Sequence, residues 1–147
     1  MPKEKTRERW YYDSNTLDNQ VTYKEIIDKN HPIEVVISHL AIGEAYGNAL
    51  HKSEEAAEIL IDILNKIKRY IKIVQNDGPD RIFNDVRDTF DRLTVTDALH
   101  LATAIENDCC ILRSCDPDLC GLDGPKLKGL INRNGLDRFT ITSMKKN

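Results

Sequence analysis

The chain has 147 residues, 40% of them hydrophobic and 31% charged, with a formal net charge of −3. That length suits one domain burying about two-thirds of its unfolded surface, and the composition is too apolar for a disordered chain. No apolar run approaches the roughly 20 residues of a membrane helix, and the acidic balance gives no global basic footprint for nucleic acid.

The first segment, M-P-K-E-K-T-R-E-R, is basic without the apolar stretch of a secretory signal, so residues 1–9 read as a solvated arm and the protein is expected to be cytoplasmic. Trp10-Tyr11-Tyr12 is a short strand signal, ended by the turn and cap formers Asp13-Ser14-Asn15. A helix is predicted from Thr16 to about Lys29 on a weak stripe of Leu17, Val21, Ile26 and Ile27, stopped at His31-Pro32 because the residue before proline avoids the α region. Ile33–Ile37 is the second strand candidate, and Ser38 can cap the helix that carries Glu44 in its second turn.

The strongest helical period runs from Ser53 to Val74, with early glutamates and late lysines complementing the helix dipole. A shorter charged helix is predicted over Asp80–Arg92. The stretch T-V-T-D-A-L-H-L-A-T-A then offers Thr94 or Thr96 as a cap, Asp97 in the first turn, and Ala98, Leu101, Ala102 and Ile105 on one small-residue face. Cys110–Arg113 reads as a strand ending near Asp116 and Asp118. Pro117, Gly121, Gly124 and Pro125 predict a loop-rich segment, Arg138–Thr142 a last strand, and 144–147 a tail.

Cys109, Cys110, Cys115 and Cys120 crowd into that region without zinc-ribbon spacing and read as reduced, structural residues, with a Cys115–Cys120 disulfide or a redox role as the alternative. Strands alternating with helices predict an α/β domain over residues 10–143: three layers, α/β/α, around a central, mostly parallel sheet. In such sheets ligands bind beyond the carboxyl ends of the strands. Asp13 and Asp116 follow strands at that edge, and Glu44 and Asp97 lie early in helices that start there.

Taken singly, each acid could be a turn former or a helix-start charge. Together, Y-Y-D-S-N, S-H-L-A-I-G-E, T-D-A-L-H-L-A-T-A and S-C-D-P-D-L resemble the PIN domain in order and spacing, over nearly the whole chain. The likeness is to its toxin-like prokaryotic branch, the VapC ribonucleases. The resemblance implies a PIN-like fold and a metal-dependent nuclease site in which Asp13, Glu44, Asp97 and Asp116 form an acidic quartet. It further implies Asp118 as an accessory metal ligand, and Asn15 and Ser114 as supporting groups. Two features depart from the pattern: Asp18 and Asn19 make the first helix polar, and Lys126–Leu130 lengthens the segment before the last strand.

The chemistry is self-consistent. Carboxylates about 4 Å apart repel by about 4 kcal/mol per pair at an effective dielectric near 20, so they need protons or cations to coexist. Hard oxygen donors suit Mg²⁺ or Mn²⁺, either of which activates water and stabilises a leaving oxygen in phosphodiester hydrolysis. His100 reads as a packing or supporting histidine rather than a ligand, and Arg113 as a solvated strand-end residue rather than a phosphate contact. The expected function is a metal-dependent endoribonuclease, the toxin of a toxin–antitoxin pair. Its expected partners are an RNA substrate, an antitoxin protein and a second copy in a homodimer, with no membrane. The competing reading is a PIN-like module that binds RNA or protein and barely cleaves.

Overall fold

The computed structural model describes residues 8–28, 33–76 and 80–144. Five strands, β1 (Glu8–Tyr12), β2 (Ile33–Ser38), β3 (Ile71–Val74), β4 (Ile111–Ser114) and β5 (Thr140–Ser143), form one sheet in the order β3-β2-β1-β4-β5. Every pairing is parallel. Parallel neighbours require long crossovers, which here are the helices α1 (Gln20–Ile27), α2 (His39–Lys52), α3 (Glu54–Ile67), α4 (Arg81–Thr89), α5 (Val95–Glu106), α6 (Pro117–Cys120) and α7 (Gly124–Arg133). Among the described residues no helix is long and apolar enough to cross a membrane.

The sheet is buried on both faces, and period-2 alternation sends adjacent side chains to opposite layers. Tyr11, Val36 and Leu112 pack with Val86, Leu101, Ile105, Leu119 and Leu130 of the layer containing α4–α7. Tyr12, Val35 and Ile37 pack with Ile26, Ala41, Ala45, Leu60 and Ile67 of the layer containing α1–α3. Helix α5 is covered on nearly every side, since Ala98, Leu101, Ala102, Ala104 and Ile105 are all buried, so its alanines mark close approach to the sheet.

Several predicted elements differ. The helix expected over 53–74 ends at Ile67; a 3₁₀ turn, Lys68–Tyr70, leads into β3, where Ile71 and Ile73 stand opposite Val35 and Ile37 of β2. Ile67, Ile71 and Val74 fit helical spacing, but I-K-I-V also alternates, and the open edge of β2 offers ladder hydrogen bonds that decide between the two. The first helix starts at Gln20 rather than Thr16, because the Thr16 hydroxyl bonds back to the Asp13 carbonyl (2.8 Å) and closes a 3₁₀ turn, after which the Asn19 side chain caps α1. Its expected end at Lys29 and His31-Pro32 lies outside the described residues.

The supposed loop after Asp116 holds α6 and α7. Asp123 caps α7 through the Lys126 amide (2.9 Å), Pro125 sits where a first-turn proline costs no hydrogen bond, and Leu130 and Ile131 are buried. The last strand is Thr140–Ser143, two residues later than its predicted start, and Met144 is buried, donating its amide to the Ser114 carbonyl. The chain pairs from Glu8, inside the expected arm; residues 1–7 and 145–147 lie outside the described set.

The tightness of α5 makes a stability prediction. Ala98→Leu should cost about 1–3 kcal/mol by overpacking a fully buried site, read as a lower melting temperature, while leaving the acidic residues in place.

Candidate active site

The sheet topology selects the site. From β1 the chain moves outward one way through β2 to β3, and the other way through β4 to β5. The crevice at such a switch point, beyond the carboxyl ends of β1 and β4, is where open parallel sheets bind ligands. Asp13 directly follows β1 and Asp116 stands two residues beyond β4.

Asp13 is buried, at 2% exposure. Its Oδ2 accepts the Ser114 hydroxyl at 2.5 Å, and the same Ser114 oxygen accepts the Asp116 amide at 2.9 Å. One serine at the end of β4 therefore spaces two of the acids. Asp13 Oδ1 is buried and has no hydrogen-bond partner among the described residues. An unpaired buried carboxylate oxygen carries a substantial desolvation cost unless something else meets it.

Asp97 arrives from α5. Thr94 caps that helix, accepting the Asp97 amide at 3.1 Å, which holds the acid in the first turn at the sheet edge. Burial raises its carboxyl to about 6, helped by the charge of Asp116 and a hydrogen bond with it. Burial likewise pushes Asp13 up to about 7, with Asp116 and Asp97 adding to the rise and Ser114 and His100 opposing it. The three aspartates thus form one electrostatic group.

Glu44 is positioned differently. His100 Nε2 meets its Oε1 at 2.6 Å, His100 Nδ1 meets the Tyr11 hydroxyl at 2.6 Å, and Tyr11 meets Ser38 Oγ at 2.7 Å. Ser38 caps α2 by accepting the Ala41 amide at 3.0 Å. One proton arrangement satisfies the whole chain: Ser38 donates to Tyr11, Tyr11 to Nδ1, and Nε2–H to an ionised Glu44. Burial holds the Tyr11 phenol above its ordinary range, so it remains a donor. His100, at 1% exposure, is thereby fixed in tautomer and ring orientation, and it orients Glu44.

The remaining predicted residues have distinct places. Asn15 accepts the Cys115 amide through Oδ1 at 3.0 Å, tying the turn after β1 to the loop carrying Asp116. Asp116 Oδ1 caps α6 through the Asp118 amide at 2.8 Å, and the Asp118 side chain is exposed. Arg113, expected to be solvated, is largely buried: its guanidinium grips Glu25 at 2.6 and 3.2 Å and also reaches Thr142 and Ser143. The four cysteines are free thiols.

The sequence placed Tyr11 in a strand and Ser38 at a helix cap but linked neither to the acids. Tyr11 lies two residues before Asp13 on an extended segment, and His100 lies one helical turn after Asp97; those spacings are the signals that could have linked them to the acids.

As it stands, no group of three or more His, Cys, Asp or Glu side chains among the described residues is arranged to hold a metal ion. The donor set nevertheless fits a hard divalent cation. It consists of carboxylate oxygens, burial and the neighbouring acids raise two of the carboxyls above their ordinary range, and one buried oxygen has no partner among the described residues.

No curated protein matches the chain. Its fold is shared with VapBC2 from Rickettsia felis, solved bound to a DNA fragment from their promoter: TM-score 0.61, 15% identity, covering 93% of this chain and 99% of that one. DNA-bound VapBC from Salmonella typhimurium follows, with TM-score 0.58, 12% identity, and coverage of 92% and 98%. PAE2754 from Pyrobaculum aerophilum is also similar, with TM-score 0.55, 18% identity, and coverage of 86% and 95%. At these identities the likeness is one of fold. The PIN domain pattern matches residues 10–125, most of the sequence, and the chain belongs to the PIN domain family.

Proposed function

We propose that this protein is a Mg²⁺- or Mn²⁺-dependent endoribonuclease that hydrolyses RNA phosphodiester bonds through Asp13, Glu44, Asp97 and Asp116. The observation that carries the reading is the unmet, buried Oδ1 of Asp13 beside two further acids that raise its proton affinity. When bound, the cation supplies positive charge for the attacked phosphate and for the water that attacks it. Asp13, Asp97 and Asp116 hold it, and Glu44, fixed by His100, completes the set, with Asp118 as an accessory. Ser114 keeps Asp13 and Asp116 apart and correctly turned, and Asn15 anchors the loop behind them. We further propose that the protein is the toxin of a toxin–antitoxin pair. Family membership and the shared fold with VapBC2 and VapBC support this, and a small antitoxin gene directly upstream would bear it out.

Asp97→Asn tests the chemistry. The Thr94 cap uses the backbone amide, so α5 should persist and thermal stability in EDTA should be unchanged or slightly raised. Cleavage of assorted single-stranded RNAs with Mg²⁺ or Mn²⁺ should fall by roughly 100-fold or more as a ligand and its charge are lost together. An Asp97→Asn protein that cut RNA as well as wild type would leave a binding module as the better reading.

Metal removal should expose the repulsion. Between about pH 4 and 7 the folded protein keeps the Asp13 proton that the unfolded chain has released, so this group's contribution falls as pH rises through that window. Asp85, held low by Arg133, changes only at lower pH. In EDTA, Asp13→Asn should therefore match wild type near pH 4 and melt about 5 °C or more above it at pH 7. Excess Mn²⁺ should raise the wild-type melting temperature at pH 7 but not the variant's to the same degree.

A homodimer is also proposed. Ile59 and Ile61 on the two flanks of α3, and Ile73 of β3, are each more than two-fifths exposed, apolar side chains that support pairing with a second copy. Light scattering should give about twice the 16.8 kDa chain mass at micromolar concentration.

A further inference from the structure

A polar groove of about 670 Å³ opens between the Ser14–Thr16 turn and α2, within the range of small-ligand sites. It adjoins the acids through both of its walls: Ser14 and Asn15 follow Asp13, and Ala45 follows Glu44. We infer that this groove receives the base of the nucleotide next to the scissile phosphate of a single-stranded RNA, with Asn15, Asn48 and His51 reading it. The inference rests on the ribonuclease reading of the adjoining site.

The composition of the groove favours a base over a phosphate. Lys52 is the one lysine or arginine among the described residues that line it, and it faces the Asp18 carboxylate at 3.6 Å at the rim. The other polar lining residues offer hydrogen-bonding groups beside the small, buried Ala45. The exposed side chains of Asn48 and His51 have no partner among the described residues. Asn15 has committed its carbonyl oxygen to the Cys115 amide, so its two amide hydrogens are unspent. Amides match the mixed donor and acceptor edges of bases, and an imidazole ring offers a stacking face, which is how unpaired RNA bases are read. Amide-bearing residues at positions 15 and 48 thus face one groove from two distant parts of the chain.

Asn48→Ala/His51→Ala tests this, because both residues are exposed and neither caps a helix or touches the acids. Binding is measured on the Asp97→Asn background by anisotropy of short labelled single-stranded RNAs differing in base sequence. Cleavage positions are mapped on the Asp97-containing protein, and Mn²⁺ affinity is measured by calorimetry. The expected result is a roughly tenfold loss of affinity for the best-bound sequence, convergence of the other sequences toward one value, and a flattened cleavage map, with Mn²⁺ affinity unchanged. An unchanged map and affinity, while wild type still cuts RNA, would overturn the groove assignment alone. So would an equal loss for every sequence, which would signify backbone contact. If wild type cut no RNA with either metal, the ribonuclease reading would fall and this inference with it.

Discussion

The hydrogen bond from Ser114 to Asp13 is the contact on which the site depends. Parallel pairing of β1 with β4 brings the ends of two strands, a hundred residues apart in sequence, to the same edge. There the serine hydroxyl engages the Asp13 carboxylate while its oxygen receives the Asp116 amide. The strand pairing alone would leave two acids beside each other with nothing to set their spacing. With Ser114 between them, one oxygen of Asp13 is satisfied and the other has no hydrogen-bond partner among the described residues.

That geometry is costly, and the surrounding fold offsets it in two ways. Burial raises the Asp13 and Asp97 carboxyls above the ordinary carboxylate range, to about 7 and about 6, so protonation relieves the repulsion as pH falls through that range. The mutually packed cores on either side of the sheet supply the rest, since burying Tyr11, Leu101, Ile105 and Leu112 outweighs a few poorly satisfied polar atoms.

Glu44 stands apart because it belongs to a different chain of contacts. The sequence Ser38–Tyr11–His100–Glu44 crosses from the cap of α2, through the central strand, to α5 and back to α2. Every donor in it has an acceptor, so the carboxylate is held by a rigid relay rather than by its own flexible side chain. The same α2 that carries Glu44 also forms a wall of the amide-lined groove, through Ala45, Asn48, His51 and Lys52.

Much of this was legible in the residues. Alternating strands and helices imply a parallel sheet, and parallel sheets place strand ends and helix starts on one edge, which located Asp13, Asp97 and Asp116 without coordinates. Caps such as Ser38 and Thr94 are local hydrogen-bonding events and were equally readable. What the sequence could not decide were matters of partnership. Ile71–Val74 fits a helix or a strand until β2 presents an open edge. Gly124-Pro125 reads as a loop until Asp123 caps a helix whose Leu130 and Ile131 reach the core. Whether His100 merely packs or holds Glu44 depends on a strand and two helices meeting at one point. Periodicity and capping act over a few residues and are written in the chain; ladder pairing, burial and side-chain relays join residues that only the folded structure makes neighbours.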